Sequence, residues 1–138
     1  MRIMAFDYGT KRIGIAVTDP LQIIATALTT IHPNEVIQFI KQYMNKESVE
    51  KFIVGMPLRM DGSDSQSMPH VKGFVRSLKK NFPQVPVVTM DERFTSKMAS
   101  STIAQSGMRR AKRQEKSLVD KISAVIILQS YMESSYLH

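Results

Sequence analysis

The 138-residue sequence predicts an α/β fold in which a mixed β-sheet, antiparallel across its first three strands and parallel afterwards, is flanked by helices. Three observations carry that expectation. Residues 3–6 and 13–17 are short apolar runs separated by a basic, glycine-containing turn, which reads as a hairpin. Further along, apolar residues change to helical spacing between the later runs, as they do where helices cross from one parallel strand to the next. The run Phe52-Ile53-Val54-Gly55, stopped by Pro57, suits a strand covered on both faces.

The elements follow in order. Residues 23–31, apolar and threonine-rich, are expected to form the third strand, which Pro33 ends. Val36, Ile37, Ile40, Tyr43 and Met44 then fall on one helical face, so residues 35–46 are expected to be helix with Asn34 as its cap. A polar loop, 59–66, precedes a second helix marked by Val71, Phe74, Val75 and Leu78. Pro83 and Pro86 bracket the turn into a strand at 87–90. A helix over 95–106 would close at Gly107 in a left-handed conformation. The last helix, 117–134, should present Leu118, Ile122, Val125, Ile126 and either Leu128 or Gln129 to the core. A chain of this length fits about one domain, here residues 1–138, and can bury roughly two-thirds of its unfolded surface.

Composition narrows the function. There is no cysteine, so disulfide scaffolds and cysteine-ligated zinc are excluded. His32, His70 and His138 are not at metal-ligand spacing. Gly9 and Gly14 have the spacing of a P-loop, but Ile15-Ala16 follows where such a loop needs Lys and Ser or Thr. With neither a signal-like segment nor an apolar stretch near 18 residues, the chain is expected to be cytoplasmic.

Nineteen Lys and Arg outnumber twelve Asp and Glu, a balance that suits a polyanionic partner. The excess is concentrated in residues 107–116, where Arg109, Arg110, Lys112, Arg113 and Lys116 face one acid, Glu115. Lys11 and Arg12 form a second basic pair. Lys11, Arg12, Arg109, Arg110, Lys112 and Arg113 are therefore the expected contacts to a nucleic-acid backbone, setting affinity rather than base specificity.

Acids stand where apolar runs stop. Asp7 follows the first run, with Gly9 expected to turn the backbone at positive φ; it is either an ordinary Asp-x-Gly turn or a metal ligand beside two cations. Asp91 and Glu92 end the last strand and, being adjacent, point to opposite sides; Glu92 is favoured for the cleft, with Asp91 kept as a further metal ligand. Asp120 lies in the first turn of the last helix, where Ser117-Leu118-Val119-Asp120 resembles a capping box, so it can serve a helix end, a metal, or both. Carboxylates on three elements converging at one sheet end would suit Mg²⁺ or Mn²⁺, and two such ions could activate water and stabilise the leaving oxygen of a phosphodiester.

On these residues the chain resembles the YqgF (RuvX) family, the Holliday-junction-resolvase-like group regarded as pre-16S rRNA nucleases. The resemblance spans nearly the whole sequence. It is carried by Asp7-Tyr8-Gly9-Thr10-Lys11-Arg12-Ile13-Gly14, by Val54-Gly55-Met56-Pro57 with Asp61-Gly62, by Asp91-Glu92-Arg93-Phe94-Thr95-Ser96, and by Lys116 through Asp120 to Ile127-Leu128. It implies a ribonuclease-H-like fold, an endonuclease acting on structured nucleic acid, and Asp7, Glu92 and Asp120 as the catalytic, metal-binding acids. Related junction resolvases carry a further acid where this chain has Ser123. Tyr8 and Phe94 border the acids, but there is little aromatic interleaving to stack bases, and Phe94 is expected to be core. Alternative functions are a DNA junction resolvase, a non-catalytic RNA-binding module of ribosome assembly, and an actin-like phosphotransferase, the last disfavoured because such enzymes need two lobes.

Overall fold

The computed structural model describes residues 1–9, 11–56, 68–91 and the helix 116–136, with the side chains of 122–133 in that helix. The elements are β1 (Arg2–Tyr8), β2 (Ile13–Thr18), β3 (Ala25–Ile31), a 3₁₀ turn (Pro33–Glu35), α1 (Val36–Met44), β4 (Val49–Met56), α2 (Met68–Asn81), β5 (Val87–Asp91) and α3 (Lys116–Tyr136). The five strands form one sheet in the order β3-β2-β1-β4-β5. β1 with β2, and β2 with β3, are antiparallel, whereas β1 with β4, and β4 with β5, are parallel.

Strand alternation sends β1 into two cores. Met4 and Phe6 join Phe52 and Val54 on the face covered by α1 and α2, through Val36, Ile40, Val71, Phe74 and Leu78. The Phe6 ring meets Phe52 and Phe74 edge-on at 5.7 and 5.2 Å, each pair adding about 0.5–1.5 kcal/mol beyond burial. On the other face Ile3, Ala5, Ala16 and Ile53 pack beneath Ala124, Ile127 and Leu128 of α3. Alanines on both sides let helix and sheet approach closely.

That close approach corrects the expected face of the last helix. Ser123, Ala124, Ile126, Ile127 and Leu128 are buried, Ile122 and Val125 are only half-buried, and Gln129 is exposed. Ile126 and Leu128 are buried as expected, and Ser123, Ala124 and Ile127 join them. No buried side-chain nitrogen or oxygen among the described residues lacks a hydrogen-bond partner.

Two further expectations are corrected. β3 begins at Ala25, and Ile23 and Ile24 are each 63% exposed, because the Asp19 carboxylate accepts their backbone N–H groups at 2.7 Å and removes those donors from a sheet ladder. Asn34 does not cap α1. Instead the His32 Nδ1 accepts from the Asn34 N–H at 3.0 Å, and Pro33 opens a 3₁₀ turn ahead of the helix. The helix expected over 95–106, the stop at Gly107 and the Leu118 side chain lie outside the described residues.

Candidate functional site

Because β1, β4 and β5 are parallel, their C-terminal ends share one edge of the sheet. Asp7 is placed there, inside β1 rather than beyond it, paired across the hairpin with Gly14. Alternation after Ile3 and Ala5 puts it on the α3 face. On its other side, one residue past the Phe6–Val54 pair, stands Gly55 of β4. Asp7 is therefore flanked within the sheet by two positions that carry no side chain, Gly14 on β2 and Gly55 on β4. A hard cation with oxygen ligands fits such a donor.

The turn between β1 and β2 is tight. Gly9 donates its N–H to the Arg12 carbonyl at 2.9 Å, and a Cβ at Gly9 would lie 2.7 Å from that oxygen. Close backbone approach, not the expected positive φ, is the reason for glycine here. Lys11 is exposed and Arg12 half-buried at this same edge.

Asp91 is paired with Met56 at the end of β5. Its neighbours Val88 and Met90 pack on the α3 side while Val87 packs on the α1/α2 side, so Asp91 stands on the face away from Asp7. Glu92 lies outside the described residues, as do Phe94, Arg109, Arg110, Lys112 and Arg113. Tyr8, expected beside the acids, is half-buried and packs its ring on Phe74 at 5.1 Å, against the core of the α1/α2 face.

α3 brings position 120 toward Asp7. The Tyr131 hydroxyl accepts from Lys51 Nζ, and Lys51 pairs with Ile3 near the start of β1, while residues 124–128 lie over the middle of the sheet. The helix thus descends from the edge where the C-terminal ends of β1, β4 and β5 meet. Eleven residues of helix from 131 back to 120 span about 16 Å, against about 13 Å for the four strand residues from Ile3 to Asp7. Position 120 reaches the level of Asp7 to within one turn, in helical register with Ala124 and Ile127, and its side chain lies outside the described residues. Among the described residues no three His, Cys, Asp or Glu side chains form a metal-sized group, and two of the expected three are not among them.

A match to the family described as RuvX, Holliday junction resolvase, covers residues 1–134. The chain belongs to this RuvX family. Its relatives include proteins of Bacteroides thetaiotaomicron, 53% identical over 96% of both chains, and Porphyromonas gingivalis, 48% identical over 96% of both, each named "Putative pre-16S rRNA nuclease". Among solved structures it is similar to Thermus thermophilus RuvC bound to a Holliday junction substrate, with a TM-score of 0.53 at 14% identity over 96% of each chain. That likeness gives the RuvX chain a ribonuclease-H-like fold, as the sheet order also does. No helix among the described residues is long and apolar enough to cross a membrane.

Sequence reasoning missed Gly14 and Gly55 as parts of the site. Both sit in the motifs that carried the family resemblance, but only the strand register sets them beside Asp7.

Proposed function

We propose that this RuvX protein is a cytoplasmic, divalent-metal-dependent endonuclease, a single domain that hydrolyses phosphodiester bonds of structured RNA in maturation of the 5′ end of pre-16S rRNA. The observation that carries the proposal is Asp7, set on the α3 face at the common strand end between Gly14 and Gly55. The relatives' names support RNA as the substrate.

Asp7, Glu92 and Asp120 would hold Mg²⁺ or Mn²⁺, in the two-ion form expected from their number. Such ions, when bound, supply a nucleophilic hydroxide at neutral pH and Lewis acidity for the departing oxygen. Asp7 contributes a carboxylate from a backbone position that strand pairing holds on both sides. Glu92 is assigned in preference to Asp91 because Asp91 stands on the opposite face. Asp120 enters from α3, whose height on the sheet the Lys51–Tyr131 contact fixes. Lys11, Arg12, Arg109, Arg110, Lys112 and Arg113 bind the phosphate backbone and hold the strand across these acids.

The test is cleavage of a pre-16S leader RNA by wild type and Asp7→Asn in Mg²⁺, in Mn²⁺ and in chelator, with a four-way DNA junction alongside. The expected result is RNA cleavage that needs metal and is lost in a folded Asp7→Asn protein. Equal cleavage by the variant would overturn the assignment of Asp7. Tight RNA binding with no cleavage in either metal would make the protein a binding module, and cleavage of the junction alone would make it a DNA resolvase.

A further inference from the structure

The 14 residues of α2 include Lys72, Arg76, Lys79 and Lys80 and not one acid. All four cations are exposed. At about 100° per residue they fall within roughly 100° of arc, a single stripe along the helix. The opposite stripe, Val71, Phe74 and Leu78, is buried, so the core fixes the rotation of the helix and points the cations outward.

Helix electrostatics explain only part of this. Lys79 and Lys80 lie in the last turn, where cations complement the helix dipole. Lys72 lies in the N-terminal half, where they do not. The Arg76 guanidinium leans back over Gly73, its Nη2 3.7 Å from where a Cβ would stand, and so stays within the stripe toward the helix start.

The ring contacts locate the stripe. Phe74 touches Phe6 and Tyr8 near the end of β1, while Phe82, just past the helix, touches Phe52 at the level of Met4. α2 therefore runs downward from the catalytic edge. The cations begin beside that edge and continue for eight residues, about 12 Å, long enough to face successive phosphates of one duplex strand.

We propose that this face of α2 is a second phosphate-binding surface that holds a duplex arm of the substrate next to the cleaved segment. The proposal rests on the nuclease reading for its substrate. Charge complementarity and the position at the catalytic edge argue for that occupant.

The experiment compares wild type with Lys72→Ala/Arg76→Ala/Lys79→Ala/Lys80→Ala on two RNAs. One carries a 12-base-pair arm beside the leader segment and the other is the single-stranded segment alone. Binding is measured in chelator across a salt series, cleavage in Mn²⁺, and folding by circular dichroism and thermal melting. On the armed RNA the variant should bind about ten- to a hundredfold more weakly near 0.1 M salt, with the log-log salt slope flatter by about three units. On the single strand the two folded proteins should bind and cleave alike. Equal binding of the armed RNA, or equal weakening on both RNAs, overturns the proposal. So does unchanged RNA binding with lost binding to polyglutamate, which would give the face to an acidic protein. Arm-dependent weakening without cleavage by wild type would keep the surface and overturn the nuclease reading, whereas cleavage with arm-independent binding would do the reverse.

Discussion

Asp19 and Asp7 stand at opposite ends of the same sheet and in different surroundings. At the end where β1 begins, polar groups bond to the protein itself. The Asp19 carboxylate takes the N–H groups of Leu21, Ile23 and Ile24, and these bonds, that of Ile24 foremost, hold its pKa below the usual 3.8. Thr18, fully buried, accepts the Ile3 N–H at 2.9 Å, and Arg2 joins Glu47 to the Thr18 carbonyl. Gln22, with φ of 58°, ties Met1 to Glu50. At the other end Asp7 stands within β1, with glycine at the neighbouring sheet position on either side. An aspartate that consumes its lone pairs on a turn is a structural part. An aspartate within a strand, between side-chain-free positions at the common strand end, is the metal ligand of the proposed site.

The comparison breaks most easily at the adjacent acids. Glu92→Gln should lower cleavage on the order of 100-fold or more, the loss usual when one group that stabilises a transition state is removed, while Asp91→Asn retains most activity. The reverse ranking in folded proteins would move the site to the α1/α2 face. Next in size is Thr18→Val, which leaves the Ile3 N–H unbonded and should cost about 1–3 kcal/mol in urea unfolding with cleavage unchanged. Gly9→Ala forces a Cβ against the Arg12 carbonyl and should cost a similar amount, about 1–3 kcal/mol, but at the catalytic end, so RNA affinity should fall with it. Unaltered affinity in a destabilised Gly9→Ala protein would separate the Lys11-Arg12 turn from substrate binding.

The smallest effect sharpens the contrast through pH. Since folding lowers the Asp19 pKa, its contribution is present above the unfolded value of 3.8 and is lost as pH falls through the lower folded value. Asp19→Ala should therefore melt below wild type at pH 6, and the gap should close on acidification below about pH 4. A gap independent of pH would assign the loss to something other than ionisation.

Much of this was readable in the residues. The hairpin, the parallel strands and the helical faces of α1 and α2 were visible because alternation and the 3.6-residue repeat report burial directly. Asp7 was visible because glycine and two cations follow it. What could not be read was set by contacts between distant segments. The face of α3 depends on Ala5 and Ala16 beneath it, the retreat of Ile23 and Ile24 depends on one carboxylate, and Gly55 gains its meaning only from lying beside Asp7. The choice between Asp91 and Glu92 turned on which core Val87, Val88 and Met90 enter, and four residues of strand could not tell which face α3 would cover.

α3 follows every strand in the chain, yet it covers Ile3, Ala5 and Ala16 from the first two. The pairing that seals this core joins the two extremes of the described sequence, so its loop-closure cost is met late and folding should be slow for a protein of this size. Until that helix docks, a nascent chain has one finished core and one open apolar face, the kind of intermediate on which chaperones act. The same helix carries Asp120. With the proposed set of acids, a chain still being synthesised cannot complete its site until this last described helix has emerged and docked.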